Sequence, residues 1–500
     1  MSGNKQIAKN TLFLYIRMIV VMGIGLYVVR EVLSLLGVVD YGIYNVVGGA
    51  VSMFSFVSGT LSTSSQRFFS VELAKGNFDK LKEWFCLNLT AFGFLLLAFL
   101  VIAETVGLWF LNTKMTIPEE RLLAANVVYQ LSIIAFCVDF ISIPYNALII
   151  AHERMSAFAY ISIVEALLKL AIVYILKITF YDRLITYGLL LFLTACGITM
   201  SYMIYCHRHF IESRYHYYWD KDKIKKILGF SSWHFLGSFS MVIRSQGINI
   251  LINLFFNPAI NAARAIAYQI YSAVTQLSNN FFIAVKPEMY KSYATGRMED
   301  LNKLVARSTI ICTFLVSILV FPVLANTHYV LSLWLSEIPD YAVTFTQLVL
   351  INSLIDASSD CTIAPALATG NIKKFQICNS FFIMLNLPVS FIVLKLGAEP
   401  TATMIISITI SFITTILKAF LLKGLINFPF EKYIRLLIKL VLSSLLIWLV
   451  IYYILYNKVN RFDHFLLWSL AMLVFISLIY IIFILKIKGF LAIVKIIKSH

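Results

Sequence analysis

Long apolar runs recur along the whole of this 500-residue chain, and each is long enough to cross about 30 Å of hydrocarbon as a helix. Hydrophobic residues make up 60% of the chain and charged residues 13%, whereas soluble globular chains carry roughly 25% charged residues. These figures exclude a water-soluble fold. The sequence therefore predicts an all-α protein that crosses a membrane many times.

Fourteen apolar windows predict the membrane-spanning helices. They are residues 11–36, 42–68, 84–111, 121–150, 157–178, 184–206, 229–256, 262–287, 304–326, 341–369, 373–396, 401–424, 433–456 and 463–486. Most Lys and Arg residues fall at the two ends and in every second loop, so both termini are expected in the cytoplasm. This bias accounts for the net charge of +16, and no nucleic-acid partner is expected.

A short motif repeats along the chain at an offset of 220 residues. The segment ELAKGNFDKL (72–81) aligns with SYATGRMEDL (292–301), which places Gly76 over Gly296. Pro144 likewise lies within one residue of the position opposite Pro365. We expect two six-helix lobes in a parallel repeat around a central cavity, with a substrate site between the halves.

The repeat divides the chain into five parts, with helices 13 and 14 as an appended pair. They are an N-lobe (1–206), a basic cytoplasmic linker (207–228), a C-lobe (229–424), the appended helices (425–486) and a basic cytoplasmic tail (487–500).

Motifs of catalysis and cofactor binding are absent from the sequence. The seven cysteines are odd in number and lack CxxC spacing, so neither a disulfide framework nor a zinc site is expected. No GxxxxGK[ST] motif suggests an ATP-driven pump, and His152-Glu153 is not followed by the second histidine of HExxH. We read Asp220-Lys221-Asp222 as solvated charge in a helical linker. No catalytic residue, metal or cofactor is expected.

Arginines inside the predicted helices are the first candidate site residues. A charged side chain at a helix centre costs about 2.5–3.5 kcal/mol on insertion, so it must face a partner or a wet cavity. Arg244 lies deep in helix 7, and its guanidinium would suit a phosphate group; pairing with Asp139, Asp356 or Asp360 is the alternative. Arg17 in helix 1 either lines the same cavity or snorkels to headgroups.

Arg30 and Arg264 lie nearer the predicted outer ends of helices 1 and 8. Either anchoring at the interface or helix capping explains them as well as substrate contact does.

Ionisable residues of helices 4, 5 and 10 are the second group. Glu165 and Lys169 have the spacing of a self-neutralising pair on one helix face. Asp356 and Asp360 are like charges on one face of helix 10, which predicts a shared proton and a role in ion coupling; pairing with Arg244 and packing against a neighbouring helix are the alternatives. Asp139 is the expected N-lobe counterpart of the two aspartates.

Prolines 144 and 365 interrupt predicted helices and free backbone carbonyls, which membrane helices tolerate where neighbours satisfy them. They are candidate hinges for alternating access, and a static bend is the alternative.

An ordered series of segments resembles the oligosaccharide flippases of bacteria, the polysaccharide transport branch of the multidrug/oligosaccharidyl-lipid/polysaccharide (MOP) exporter superfamily. The segments are NTLFLYIRMIV (10–20), LGVVDYGIYN (36–45), LAKGN (73–77), IPYNALIIAHER (143–154), ILINLFFNPAINAARAIAYQI (250–270) and KPEMYKSYATG (286–296). The resemblance covers helices 1 to 12 and weakens over helices 13 and 14.

This resemblance implies a flippase in the bacterial cytoplasmic membrane that performs no covalent chemistry. Its substrate would be an oligosaccharide on a polyprenyl diphosphate carrier, moved to the outer leaflet for O-antigen, capsule or exopolysaccharide assembly. Cationic residues of helices 1, 2, 7 and 8 would contact the diphosphate, which favours Arg17, Arg30, Arg244 and Arg264. Polymerases and glycosyltransferases of the same pathway are possible partners. A cation-coupled drug exporter of the same fold and a membrane glycan ligase or polymerase are the competing interpretations.

Overall fold

The computed structural model describes residues 2–52, 55–113, 117–256, 258–335, 338–455 and 461–485, and within these ranges every regular element is helical. Helices are expected because an apolar segment in hydrocarbon must satisfy its own backbone hydrogen bonds. Ten helices of the described ranges are long and apolar enough to cross a membrane. The all-α membrane fold is thus confirmed, while the count of fourteen spans stays a prediction.

The α-helices are numbered in chain order. They are α1 Ser2–Ser52, α2 Ser55–Lys75, α3 Phe78–Ile102, α4 Leu108–Thr113, α5 Leu122–Ala151, α6 Met155–Ile178, α7 Arg183–His209, α8 Lys221–Phe255, α9 Pro258–Ala294, α10 Met298–Ala325, α11 Thr327–Trp334, α12 Ala342–Ser359, α13 Ile363–Thr369, α14 Lys373–Met384, α15 Asn386–Lys395, α16 Ala402–Ile426, α17 Phe430–Leu455 and α18 Phe462–Ile479. Short 3₁₀ turns lie at Glu119–Arg121, Ile211–Ser213 and Asp360–Thr362, and π-helical turns at Ala103–Gly107 and Tyr480–Leu485.

The helices extend beyond the apolar windows that predicted them. Helix α2 runs to Lys75 and α3 starts at Phe78, and α9 likewise runs to Ala294 before α10 starts at Met298. The stretches between these windows are therefore largely helical, and tight turns connect the helices. The windows mark the part of each helix that matches hydrocarbon, whereas the helices continue with charged residues that belong at the interface.

The two tight turns share one hydrogen-bonding pattern at the offset of 220. Gly76 (φ 70°) and Gly296 (φ 72°) both adopt the left-handed conformation. Each glycine N–H donates to the carbonyl three residues earlier, and the next N–H donates to the carbonyl five residues earlier, over 2.9 to 3.1 Å. This is a Schellman helix end, for which glycine is favoured because it has no Cβ. The repeated motif thus corresponds to a repeated backbone shape.

Two predicted helices are broken in front of a proline. The expected helix 341–369 ends as α12 at Ser359, continues as a 3₁₀ turn over Asp360–Thr362 and resumes as α13. Pro365 explains the break, since proline lacks an N–H and its ring clashes with the carbonyl four residues earlier. The expected helix 373–396 divides into α14 and α15 in front of Pro388 for the same reason. Pro144, in contrast, lies inside the uninterrupted helix α5.

The chain divides into two compact units, here the N unit (Met1–Ser232) and the C unit (Trp233–His500). In the N unit, buried side chains of α5 such as Val128 and Ile133 pack with those of α3 and α7. In the C unit, α8, α9 and α12 share a core that includes Ile252, Ala267 and Phe345. The predicted tail 487–500 lies outside the described residues.

The expected helical linker is instead a strap, residues 210–220, that packs on the N unit. The strap contains one 3₁₀ turn and otherwise follows no helix. Its His216 Nδ1 lies 3.2 Å from Cys86 Sγ, and its Tyr215 hydroxyl lies 3.1 Å from Thr90 Oγ1. Asp220 accepts the backbone N–H of Asp222 at 2.9 Å and so caps α8. Asp220 is also partly exposed and Asp222 is exposed, which agrees with the interpretation of this segment as solvated charge.

An ion pair fastens the start of the strap. Glu212 Oε1 lies 2.6 Å from His152 Nε2 at the end of α5, and the imidazole stacks on Phe210. Burial alone would raise the pKa of Glu212, but the hydrogen bond with His152, a backbone hydrogen bond and the charge interaction with His152 together outweigh burial, so the pKa lies below its ordinary value. The strap is thus held by specific contacts.

Candidate functional site

Charged side chains of three helices and a tyrosine of a fourth converge in the N unit. This N cluster consists of Arg17 on α1, Asp139 on α5, Glu165 and Lys169 on α6, and Tyr202 on α7. Lys169 Nζ lies 2.6 Å from Glu165 Oε1, as their spacing predicts for a pair. Glu165 also interacts electrostatically with Arg17 and with Asp139. Two cations thus balance two anions within one charge network.

The Arg17 guanidinium is enclosed by aromatic groups as well as charge. Its central carbon lies 4.5 Å from the ring centroid of Phe158, a cation–π contact. Its Nε is buried and has no hydrogen-bond partner in the part of the chain that the structure describes. Arg17 therefore packs inside the N unit while one donor is still available.

Arg30 lies outside the N cluster. Its side chain is exposed, whereas the neighbouring Glu31 forms an ion pair with Lys177 at 2.7 Å. The structure thus separates Arg30 from the other predicted arginine of α1.

The C unit holds a second group, the C cluster, whose charged members are Arg244 on α8, Arg264 on α9, Asp356 on α12, Asp360 in the following 3₁₀ turn and Lys418 on α16. Asp360 interacts electrostatically with Lys418, Asp356 and Arg244. The structure therefore brings together four of the predicted site residues. The alternative in which Arg244 pairs with an aspartate of helix 10 agrees with this electrostatic contact.

The two aspartates of the C cluster have different surroundings. Asp356 Oδ2 accepts hydrogen bonds from the Tyr271 hydroxyl at 2.8 Å and from Asn352 Nδ2 at 2.7 Å. Asp360 instead faces the Lys418 ammonium, 3.9 Å from Oδ1. The two carboxylates therefore have different partners, hydrogen-bond donors for Asp356 and an ammonium for Asp360.

Arg264 is buried, with 3% of its surface exposed. Its Nη1 donates a hydrogen bond to Asn249 Oδ1, and its guanidinium carbon lies 4.4 Å from the centroid of the Tyr268 ring. Helix α9 begins six residues earlier at Pro258, so Arg264 is neither a helix cap nor an exposed anchor. Those two expectations are wrong because Arg264 points into the core of the C unit.

Arg244 and Arg264 interact electrostatically, although both are cations. Arg244 is half-buried on α8 and also interacts electrostatically with Tyr271. Two guanidinium groups held within range of each other repel, and an anion between or beside them would relieve that repulsion.

Sequence reasoning missed Lys418. This lysine is 5% exposed, and its Nζ donates a hydrogen bond to Ser359 Oγ at 3.2 Å. It lies in the last third of an apolar window, where a lysine is ordinarily taken to reach the interface. Its position eight residues before the end of α16 at Ile426 is the signal that could have revealed it.

The two clusters differ in net charge. The N cluster has two cations and two anions, whereas the C cluster has three cations (Arg244, Arg264 and Lys418) and two anions (Asp356 and Asp360). Chemically, the C cluster can hold an anion at its arginines and exchange a proton at its carboxylates. Across the described ranges, no three or more His, Cys, Asp or Glu side chains are arranged to hold a metal ion.

The fold and these clusters define a multi-pass helical membrane protein, and solved structures show which fold it has. The chain matches an outward-facing multidrug resistance MATE family transporter of the MOP superfamily with a TM-score of 0.71 at 12% identity, over 85% of this chain and 99% of the other. This is the fold of the MATE transporters.

Two further structures of known source share the fold. A MOP superfamily transporter from Pyrococcus furiosus, described as having a binding pocket of reverse polarity that suggests a different function, matches with a TM-score of 0.69 at 12% identity, over 85% of this chain and 98% of the other. The Vibrio cholerae MATE transporter VcmN in the bent form matches with a TM-score of 0.69 at 13% identity, over 86% and 98%.

No family model matches the chain. No curated protein matches it either.

Proposed function

We propose that this protein is a flippase that moves a polyprenyl-diphosphate-linked oligosaccharide from the cytoplasmic to the outer leaflet of a bacterial inner membrane. The movement occurs by alternating access and is driven by an ion gradient. The glycan serves cell-surface polysaccharide assembly, and the polymerase and glycosyltransferases of that pathway are the partners that supply and consume it.

The buried arginine of the C cluster carries this proposal. Arg264 is 3% exposed, and its Nε is without a hydrogen-bond partner in the described ranges. An unpaired buried donor is costly unless a ligand satisfies it. A diphosphate offers acceptor oxygens of the geometry that guanidinium groups bind in a bidentate manner, and Arg244 lies within electrostatic range to share its charge.

The fold supports transport, and the pair of aspartates supports ion coupling. MATE transporters of this fold export drugs, while the Pyrococcus furiosus protein shows that the fold accommodates a pocket of other polarity. In the C cluster, Asp356 and Asp360 lie within electrostatic range of each other, so one of them readily takes up a proton when a gradient supplies it. Arg17 of the N cluster supplies a further buried donor.

A cation-coupled exporter of drugs or small molecules is the second candidate function. The multidrug resistance transporter that shares the fold favours it, as does the presence of carboxylates beside aromatic residues such as Tyr271. The excess of cations in the C cluster argues against it, because a cationic drug would meet Arg244 and Arg264.

The test replaces Arg244 by alanine in a strain that depends on this gene for its surface glycan. We expect loss of surface glycan and accumulation of the lipid-linked oligosaccharide on the cytoplasmic face, measured by mass spectrometry of polyprenyl-linked intermediates. The matched control is Arg435→Ala, because the Arg435 side chain is 75% exposed.

Membrane insertion of both variants is checked with a terminal tag. Normal surface glycan in the Arg244→Ala strain would rule out that Arg244 binds the diphosphate. Unchanged glycan together with drug sensitivity on deletion of the gene would instead support the exporter.

A further inference from the structure

We infer that Lys418 is a built-in counter-cation that excludes sodium from Asp360 and leaves the proton as the ion that this carboxylate takes up. The inference rests on the proposed ion coupling and names the ion. It starts from one observation. The Lys418 side chain is 6% exposed, whereas the carboxylate that it faces, Asp360, is 43% exposed.

The buried ammonium of Lys418 is held in one place. Its Nζ donates to Ser359 Oγ at 3.2 Å and lies 3.9 Å from Asp360 Oδ1. Ser359 is the last residue of α12 and Asp360 opens the 3₁₀ turn that follows. The lysine therefore meets the backbone at the point where the helix breaks in front of Pro365, and both of its contacts are consecutive residues of that break.

The charges around Asp360 come from every element that packs on it. Lys418 on α16 and Arg244 on α8 are the cations, and Asp356 on α12 is the anion. Tyr271 on α9 and Tyr433 on α17 also interact electrostatically with Asp360. Cys361, its neighbour in sequence, does so as well, and it lies 3.6 Å from Cys312 on α10.

This arrangement disfavours a metal cation. A sodium ion at Asp360 would be repelled by an ammonium and a guanidinium that are already present, and in a site of low dielectric constant such repulsion is strong. The same cations also oppose a proton, but a proton needs neither a space of its own nor a set of oxygen ligands, because it bonds to one carboxylate oxygen and reaches it from the exposed side of Asp360. Protonation leaves Lys418 without its counter-charge while it is still buried, which is unfavourable. Ionised Asp360 therefore stabilises the buried Lys418 ammonium at the helix break, whereas protonated Asp360 does not.

Lys418 is a positioning residue in this account, because it acts through Asp360 and touches no substrate. Its replacement by methionine keeps the length of the side chain and removes the charge. Without the ammonium, Asp356 and Asp360 are two carboxylates close to each other. Carboxylates are the ligand type that a hard cation prefers. We expect this change to alter which ion the site accepts.

The experiment uses the full-length protein purified in detergent. The unfolding midpoint is measured across a pH series, in sodium chloride and in choline chloride of equal concentration, and binding of radioactive sodium is measured in parallel. For the wild type we expect a midpoint that varies with pH, is equal in the two salts, and is accompanied by no sodium binding. Lys418→Met should gain both sodium binding and a sodium-dependent rise in the midpoint.

Two further variants complete the test. Lys418→Arg keeps the charge and should behave as the wild type, and Asp360→Asn in the Lys418→Met background should lose the gained sodium binding. Sodium binding or sodium-dependent stabilisation in the wild type overturns the inference, even if Lys418→Met does not fold. A folded Lys418→Met variant that ignores sodium also overturns it. No glycan is present in this assay, so failure of the flippase assignment would appear only in the test on Arg244.

Discussion

An aspartate stands five residues before a helix proline in both units, yet the two segments differ in structure. In the N unit, Asp139 and Pro144 lie on the continuous helix α5, and Asp139 is exposed. In the C unit, Asp360 opens a 3₁₀ turn in front of Pro365 and faces the buried Lys418. The residue at the offset of 220 before Lys418 is Ile198, so the N unit has no such lysine at the corresponding position.

This difference shows that a proline alone does not decide whether a membrane helix breaks. Both prolines lack an N–H and crowd the carbonyl four residues earlier, but a Lys418 ammonium donates to Ser359 only at the broken helix. The proline together with the contact that Lys418 makes at the break therefore distinguishes the units. The comparison predicts that substitutions at matched positions will have unequal effects.

The largest expected effect follows removal of Asp360, which is the counter-charge of Lys418. Asp360→Ala should lower the free energy of unfolding by about 1–3 kcal/mol, which is below the roughly 3–5 kcal/mol of a fully buried pair, because Asp360 is partly exposed. Asp139→Ala should cost under about 0.5 kcal/mol, as exposed positions usually do. Thermal unfolding in detergent measures both changes.

The double variant Asp360→Ala with Lys418→Met is the control. It should recover most of the lost stability, because the uncompensated charge is gone. Equal losses for Asp360→Ala and Asp139→Ala would remove the distinction between the two segments.

A smaller effect is expected at the prolines, and it concerns transport more than stability. Pro365→Ala should allow α12 and α13 to join into one helix and should reduce surface glycan strongly at normal protein levels, whereas Pro144→Ala should leave surface glycan near the wild-type level because α5 is already continuous. Both residues remain predicted hinges. Quantitative glycan staining, normalised to the amount of protein in the membrane, distinguishes them, and a larger loss for Pro144→Ala would reverse the assignment.

The smallest effect is expected where the units agree. Gly76→Ala and Gly296→Ala should each cost about 1 kcal/mol, since a left-handed backbone is strained for a residue with a Cβ, and the added Cβ meets no other atom within 4 Å at either site. Gly424→Ala is the matched control, because its Cβ also meets nothing within 4 Å but its φ is ordinary. The unfolding midpoints of the three variants should show two equal decreases and no decrease in the control.

Hydropathy predicted the helices well, because apolar length alone determines what a bilayer accepts. It failed where a helix continues past the hydrocarbon, as at Lys75 and Ala294. Charged residues lower the hydropathy of a segment equally whether the segment is a loop or a helix at the interface. The depth of Arg244 in its predicted helix marked this arginine as a candidate site residue. It could not reveal that Lys418 lies inward and Arg30 lies outward, since those directions depend on neighbouring helices that no local pattern encodes.

The two glycine turns, in segments 72–81 and 292–301, can be compared residue by residue. Of the ten positions in each segment, three are identical: Ala74 with Ala294, Gly76 with Gly296, and Leu81 with Leu301. The hydrogen bonds and the left-handed φ values nevertheless match throughout. What the two segments share is a backbone shape and the glycine that permits it. The two halves of this chain are therefore best aligned from these glycines outward, before any comparison of the side chains between them.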